Sequence, residues 1–243
     1  MHFQCLQHVP HEVPGIIASW MRRHGHSLEL VRLYAGELPA APEAMDGVLS
    51  LGGPMSVHDE ATYPWLHAEK DFLRSMVTAD KYVLGICLGA QMIASVLGAA
   101  VTHNKIDGRH EKEIGWYPVF PTNPAKRNRL FASFPEVLTV FHWHGDSFTL
   151  PHGATCTLQN GNCAHQGFIY GARIIGLQCH LEMRPEDVES LLRKGAEELR
   201  ENAAYRFVQP AERILEGAQY YLPMHHAMYA LLEAWLDEGE DDA

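Results

Sequence analysis

The chain has 243 residues, 47% of them hydrophobic and 20% charged, enough apolar material for one large domain with a modest extension and too much for a disordered chain. Its formal net charge of −11 repels phosphate backbones and anionic headgroups, which excludes nucleic acid and membrane surfaces as partners. No window approaches the roughly 18 apolar residues of a membrane span, and the start "MHFQCLQHVPHEVPG" has the character of no export leader.

Apolar strand-like runs alternate with helical patterns, the signature of an α/β domain. "FQCLQHV" (3–9) reads as a first strand, and a helix over 14–25 opens at Pro14 and closes at Gly25. "LELVRLY" (28–34) is a second strand, and "DGVLSLGGPMSV" (46–57) is a buried strand running into a Gly-Gly-Pro loop. Trp65/Leu66, Phe72/Leu73 and Met76/Val77 recur at helical spacing over 63–80, before the strand "YVLGI" (82–86). Beyond residue 100 the pattern shifts to short strands divided by Pro, Gly and Asn: "EIGWYPVF", "VLTVFHWHGD", "TCTLQN", "QGFIYGA" and "RIIGLQCHLE". A helix over 184–202 begins at Pro185 with Glu186, Asp187 and Glu189 near its positive end. Residues 1–203 form the expected main domain, and 204–243 a helical extension with a solvated acidic tail. In the extension Met224, Met228, Leu231, Leu232 and Trp235 share one face, read as core or as contact with a second copy, and only after those as a docking surface for a synthase.

The stretch "GICLGAQ" (85–91) places a cysteine where a buried strand ends and a helix begins at once. Such a bend exposes its central residue and aims the helix amides at whatever that residue attacks. Gly85 and Gly89 flank Cys87 two positions away on either side, where a side chain would crowd the turn. A helix N-terminus favours the thiolate form of a cysteine, and the Leu88 N–H is then available to a developing oxyanion. A cysteine nucleophile needs a base, and the base an orienting group. "GLQCHLEM" (176–183) offers His180 and Glu182 at the end of an apolar strand, on the same face if the strand continues, with Cys179 on the other. "LGGPMS" (51–56) supplies further backbone amides from a neighbouring strand end.

"GGPMS", "GICLGAQ" and "GLQCHLE", in this order and at these distances, resemble the class I (triad) glutamine amidotransferase family across roughly residues 40 to 200, with a nearest likeness to free-standing proteins related to the glutaminase domain of GMP synthetase. The resemblance implies a flavodoxin-like, mostly parallel sheet flanked by helices, no cofactor, and a Cys87–His180–Glu182 triad that hydrolyses glutamine through a γ-glutamyl thioester. It implies an oxyanion hole from the Gly53 and Leu88 amides, substrate contacts from Gln91, and a glutamine pocket lined by His144 and Asp146 of "HWHGDSF" (142–148). Family members usually carry proline between the histidine and glutamate, and often an aromatic residue before the histidine. Leu181 and Cys179 stand there instead, which marks a divergent branch whose donor or acceptor can differ.

Sixteen histidines invite a metal reading, but His142, His144, His152 and Cys156 match no usual zinc spacing, and no metal is expected. Cys5, Cys156, Cys163 and Cys179 sit in strand-like runs as reduced core thiols, and with the missing leader they point to a cytoplasmic protein. Three functions compete: a glutaminase feeding ammonia to a separate synthase subunit, a γ-glutamyl peptidase with the same triad, and a catalytically silent regulatory module. Association with a second copy stays open.

Overall fold

Apolar runs without polar alternation must be covered on both faces, and the computed structural model, which describes residues 1–237, builds them that way. The first half runs β1 (His2–Gln7), α1 (Gly15–Arg23), β2 (Ser27–Arg32), β3 (Gly47–Ser50), α2 (Trp65–Thr78), β4 (Tyr82–Ile86) and α3 (Leu88–Val96). The second half adds β5 (Val101–His103), β6 (Lys105–Ile106), β7 (Arg109–His110), β8 (Glu113–Pro121), α4 (Asn123–Lys126), β9 (Leu138–His144), β10 (Asp146–Phe148), β11 (Thr155–Gln159), β12 (Gly167–Tyr170) and β13 (Ile174–Leu177). The chain then continues through α5 (Pro185–Lys194), α6 (Ala196–Glu201), β14 (Phe207–Val208), α7 (Ala211–Leu215) and α8 (Ala218–Leu236). Of the expected acidic tail, 238–243 lies outside the described residues.

Strands β2, β1, β3, β4 and β13 lie side by side and parallel, which is the strand order of the flavodoxin-like fold. The sheet then continues antiparallel through β12, β11 and β8, with β9 and β14 also paired to β8. Alternate residues of the parallel strands feed two apolar layers. Phe3, Cys5, Leu49 and Leu84 join Trp20 and Met21 of α1, whereas Leu6, Val48 and Val83 join Leu66 and Leu73 of α2 and Met92 and Ile93 of α3. Met224, Met228, Leu231, Leu232 and Trp235 of α8 are buried in the first layer, so the C-terminal stripe covers the main sheet. No helix among the described residues is long and apolar enough to cross a membrane.

Three local differences from the sequence-based expectation bear on the cleft. The helix expected over 184–202 is two helices broken at Gly195, a position that only glycine fits, since a Cβ there would lie 2.5 Å from the Trp143 indole. Strand β13 stops at Leu177, so His180 and Glu182 are not strand neighbours. Instead the chain is caught by one bridge between His180 and Phe141 of β9. The β6–β7 hairpin, unforeseen, turns through Asp107 and Gly108, both at positive φ.

Candidate active site

Parallel strands of this kind release their carboxyl-end loops into one crevice. The loops after β1, β3, β4 and β13 bring Glu12, Gly53, Cys87 and His180 into a single cleft of about 680 Å³. Cys87 takes φ 53° and ψ −108°, a conformation that L side chains rarely adopt, between the end of β4 and the start of α3. The bend is tight. A Cβ on Gly85 would come within 2.5 Å of Gly89, and one on Gly89 within 2.1 Å of the Ser50 carbonyl oxygen. Gly89→Ala is therefore expected to destabilise the fold by about 2 kcal/mol through overpacking, read as a lower urea midpoint at unchanged m-value.

The Cys87 Sγ donates to the Trp143 carbonyl oxygen at 3.6 Å, and the His180 imidazole lines the same cleft. On that ring, Nδ1 lies 2.7 Å from Glu182 Oε1. Glu182 is in turn fixed through its backbone, whose carbonyl accepts the Ile16 N–H at 2.9 Å. Burial works against charge on His180, but Glu182 and Cys87 outweigh it and hold the imidazole well above its ordinary value. A second carboxylate, Glu12, also lines the cleft. Burial raises its pKa, with His180 and His8 opposing that rise.

The remaining candidates converge on the same place. Gly53 and Leu88 are adjacent: a Cβ on Gly53 would come 2.9 Å from Leu88 Cδ2. Gln91 Nε2 donates to the Asp146 carbonyl and to Gln178 Oε1, both at 3.1 Å. The Asp146 carboxylate accepts from Ser56 Oγ at 3.0 Å and faces His103 Nδ1 at 2.8 Å. Both ring nitrogens of His144 are engaged, Nδ1 at 3.0 Å from the Asp146 carbonyl and Nε2 at 3.2 Å from Glu113 Oε2. Cys179 points elsewhere, its Sγ against the Gln166 carbonyl. Burial pushes the thiols of Cys5, Cys163 and Cys179 up, leaving Cys87 as the cysteine in the cleft among the described residues.

The histidine-rich segment forms a different cluster from the one weighed in the sequence. His152 and Cys156 take no part, and Glu113 joins His142 and His144, with ligand atoms within 4.8 Å of one another. Asn160 and Asn162 hold Glu113 Oε1 at 2.7 and 2.9 Å, and Gln166 holds Oε2 at 2.6 Å. Burial opposes charge on Glu113, yet His142, His144 and Asn162 bring its pKa down to about 2. Burial lowers His142 to about 4. The carboxylate is thus already occupied by amide donors and an imidazole, an arrangement that anchors the segment carrying Trp143 and Asp146.

Several site residues gave no readable signal in sequence. Glu12 sits in a loop and His103 at the end of β5, and neither falls in a motif; Ser56 closes "GGPMS" but carried no role there. Trp143 read as a strand residue, and in the strand its indole N–H also donates to Glu198 Oε2 at 2.9 Å while its carbonyl meets the Cys87 thiol.

Fold and cleft together define an enzyme that works on amide bonds with a cysteine nucleophile. The chain belongs to the class I glutamine amidotransferase family: the family model described as "Glutamine amidotransferase class-I" matches residues 13–198. It is 35% identical to the glutamine amidotransferase-like protein YfeJ of Salmonella typhimurium, over 96% of this chain and 95% of that protein. A crystal structure of a glutamine amidotransferase from Thermotoga maritima superimposes with a TM-score of 0.86 at 31% identity, covering 98% of each chain. The GMP synthase of Lactococcus lactis is 31% identical over 140 residues, which are 57% of this chain but 24% of that protein.

Proposed function

We propose that the chain hydrolyses the side-chain amide of glutamine through a γ-glutamyl thioester on Cys87. The observation that carries this reading is the strained Cys87 bend facing a buried His180–Glu182 pair. The sulfur attacks the amide carbonyl, and the carbonyl electrons move onto an oxygen received by the Gly53 and Leu88 N–H groups. The tetrahedral intermediate collapses as His180 delivers a proton to the departing nitrogen, releasing ammonia and leaving the thioester. Water, deprotonated by the now neutral His180, attacks the thioester and frees glutamate and the thiol. Gln91 and Asp146 line the cleft beside the thiol and hold the glutamyl part, with His144 supporting that wall. The ammonia passes to an acceptor on a separate synthase.

A second reading, γ-glutamyl peptide hydrolysis, is favoured by the size of the cleft. A volume of about 680 Å³ is in the range that holds a drug-sized ligand, and glutamine leaves much of it empty. Lys112, Lys194 and Glu197 line the cleft as well, charged partners for a second residue. Comparing kcat/KM for glutamine with a panel of γ-glutamyl dipeptides and glutathione separates the two.

The first test is labelling with 6-diazo-5-oxo-norleucine followed by peptide mass spectrometry. One adduct on Cys87, suppressed by excess glutamine, is the expected result. A thiol that reacts with iodoacetamide but ignores this reagent would rule out glutamine as donor.

A further inference from the structure

Behind the Gly-Gly-Pro loop, on the side away from the thiol, lies a buried charge pair that the proposed chemistry does not use. His8, at the end of β1, and Glu69, in the middle of α2, both have fully buried side chains. The His8 Nε2 faces both Glu69 carboxylate oxygens, at 3.1 and 3.0 Å, and Ser50 Oγ donates to Glu69 Oε1 at 2.8 Å. The His8 Nδ1 lies 2.8 Å from the carbonyl oxygen of Gly52. The Gly52 carbonyl only accepts, so Nδ1 donates to it, and opposite an ionised Glu69 the ring is an imidazolium. Burial opposes that charge, but Glu69 and the Gly52 carbonyl outweigh it and raise His8 above its ordinary value.

A peptide unit is planar, and none among the described residues is cis, so the Gly52 carbonyl and the Gly53 N–H point in opposite directions. Fixing one aims the other. The Gly53 N–H has no hydrogen-bond partner among the described residues, and Gly53 lines the cleft beside Leu88. A Gly-Gly peptide is otherwise the segment most free to rotate.

We infer that the buried Glu69–His8 pair is a clamp that grips the Gly52 carbonyl and thereby holds the Gly53 N–H toward Cys87, so that the oxyanion hole stands assembled in the free chain. His8 is a positioning residue, acting through a backbone amide. This rests on the thioester chemistry proposed above, and it adds that turnover needs no partner subunit to turn the Gly52–Gly53 peptide.

The test replaces both members of the pair by leucine (H8L/E69L), which leaves no unpaired buried charge. Three quantities are read against wild type: kcat and KM for glutamine, affinity for glutamate γ-semialdehyde, and the rate of Cys87 alkylation by iodoacetamide. The aldehyde adds the thiol reversibly to give an oxyanion that needs the hole, whereas alkylation does not. The expected result is a loss of about 10–100-fold in kcat, somewhat below deletion of a hole donor. KM should stay within about threefold, aldehyde affinity should fall in parallel with kcat, and alkylation should be unchanged. H8N keeps a donor near the Nδ1 position and should recover most of the loss. If wild type binds the aldehyde but does not hydrolyse glutamine, the proposed function fails and the clamp is still read from the aldehyde. Aldehyde affinity unaffected in H8L/E69L overturns the clamp, and so does H8N as impaired as the double variant.

Discussion

Glutamine hydrolysis by the Glu182→Gln variant is expected to fall by about 10³–10⁴-fold in kcat, the magnitude known for neutralising the orienting carboxylate of a triad. The geometry gives the reason. Glu182 Oε1 sits 2.7 Å from His180 Nδ1, and in the proposed mechanism this contact orients the ring and supports the positive charge it carries while it protonates the leaving nitrogen. Burial alone disfavours that charge, and Glu182 is the leading influence that overcomes it. Without the carboxylate, desolvation dominates and the ring loses its proton at lower pH, so the alkaline limb of the kcat/KM profile moves toward acid. The same linkage acts on stability. A histidine raised in the fold contributes fully below its unfolded pKa and loses that contribution as pH rises through the raised folded value. The stability gap between wild type and variant should therefore narrow on the alkaline side. An unmoved alkaline limb with kcat within tenfold of wild type would remove Glu182 from the triad.

The parts of this protein that could be read from sequence are those whose signal is local. "YVLGI" coincides with β4 because four apolar or small residues in a row, Val83 to Ile86, are buried and leave little choice of element. The bend at Cys87 was legible because Gly85 and Gly89 are demanded by contacts within a few residues and with β3. Its partners His180 and Glu182 were legible as residues but not as structure, since β13 ends three residues before His180 and β9 supplies the support. The close packing of Gly195 on the Trp143 indole joins residues far apart in sequence, so helical periodicity over 184–202 gave no warning of a special position there. The His8–Glu69 pair is the extreme case. Its members are 61 residues apart, join a strand end to a helix centre, and match no motif, so only the topology brings them together.

Cys87→Gly is expected to abolish hydrolysis and yet raise the stability of the fold. Removing a triad nucleophile costs about 10⁶-fold in kcat, which leaves no measurable glutaminase or γ-glutamyl peptidase activity. The stability change has the opposite sign because of the backbone. Among the described residues the non-glycine positions with positive φ are Asp80, Asp107 and Cys87. Aspartate tolerates such turns, but a cysteine at φ 53° and ψ −108° stores about 1–3 kcal/mol of strain. Glycine relieves it, against a smaller loss from a thiol that packs modestly and a gain in unfolded-chain entropy. A net gain of about 1 kcal/mol corresponds to a rise in Tm of about 2–4 °C for a chain of this size. Cys87→Ser, which keeps the strained backbone, serves as the control and should melt near wild type. Calorimetry on the three proteins reads the difference, and a glycine variant that melts below both would mean that the elbow is not strained in solution. A higher Tm would place Cys87 among residues retained at the expense of stability, because the bend that strains the backbone is also what points the sulfur at the substrate.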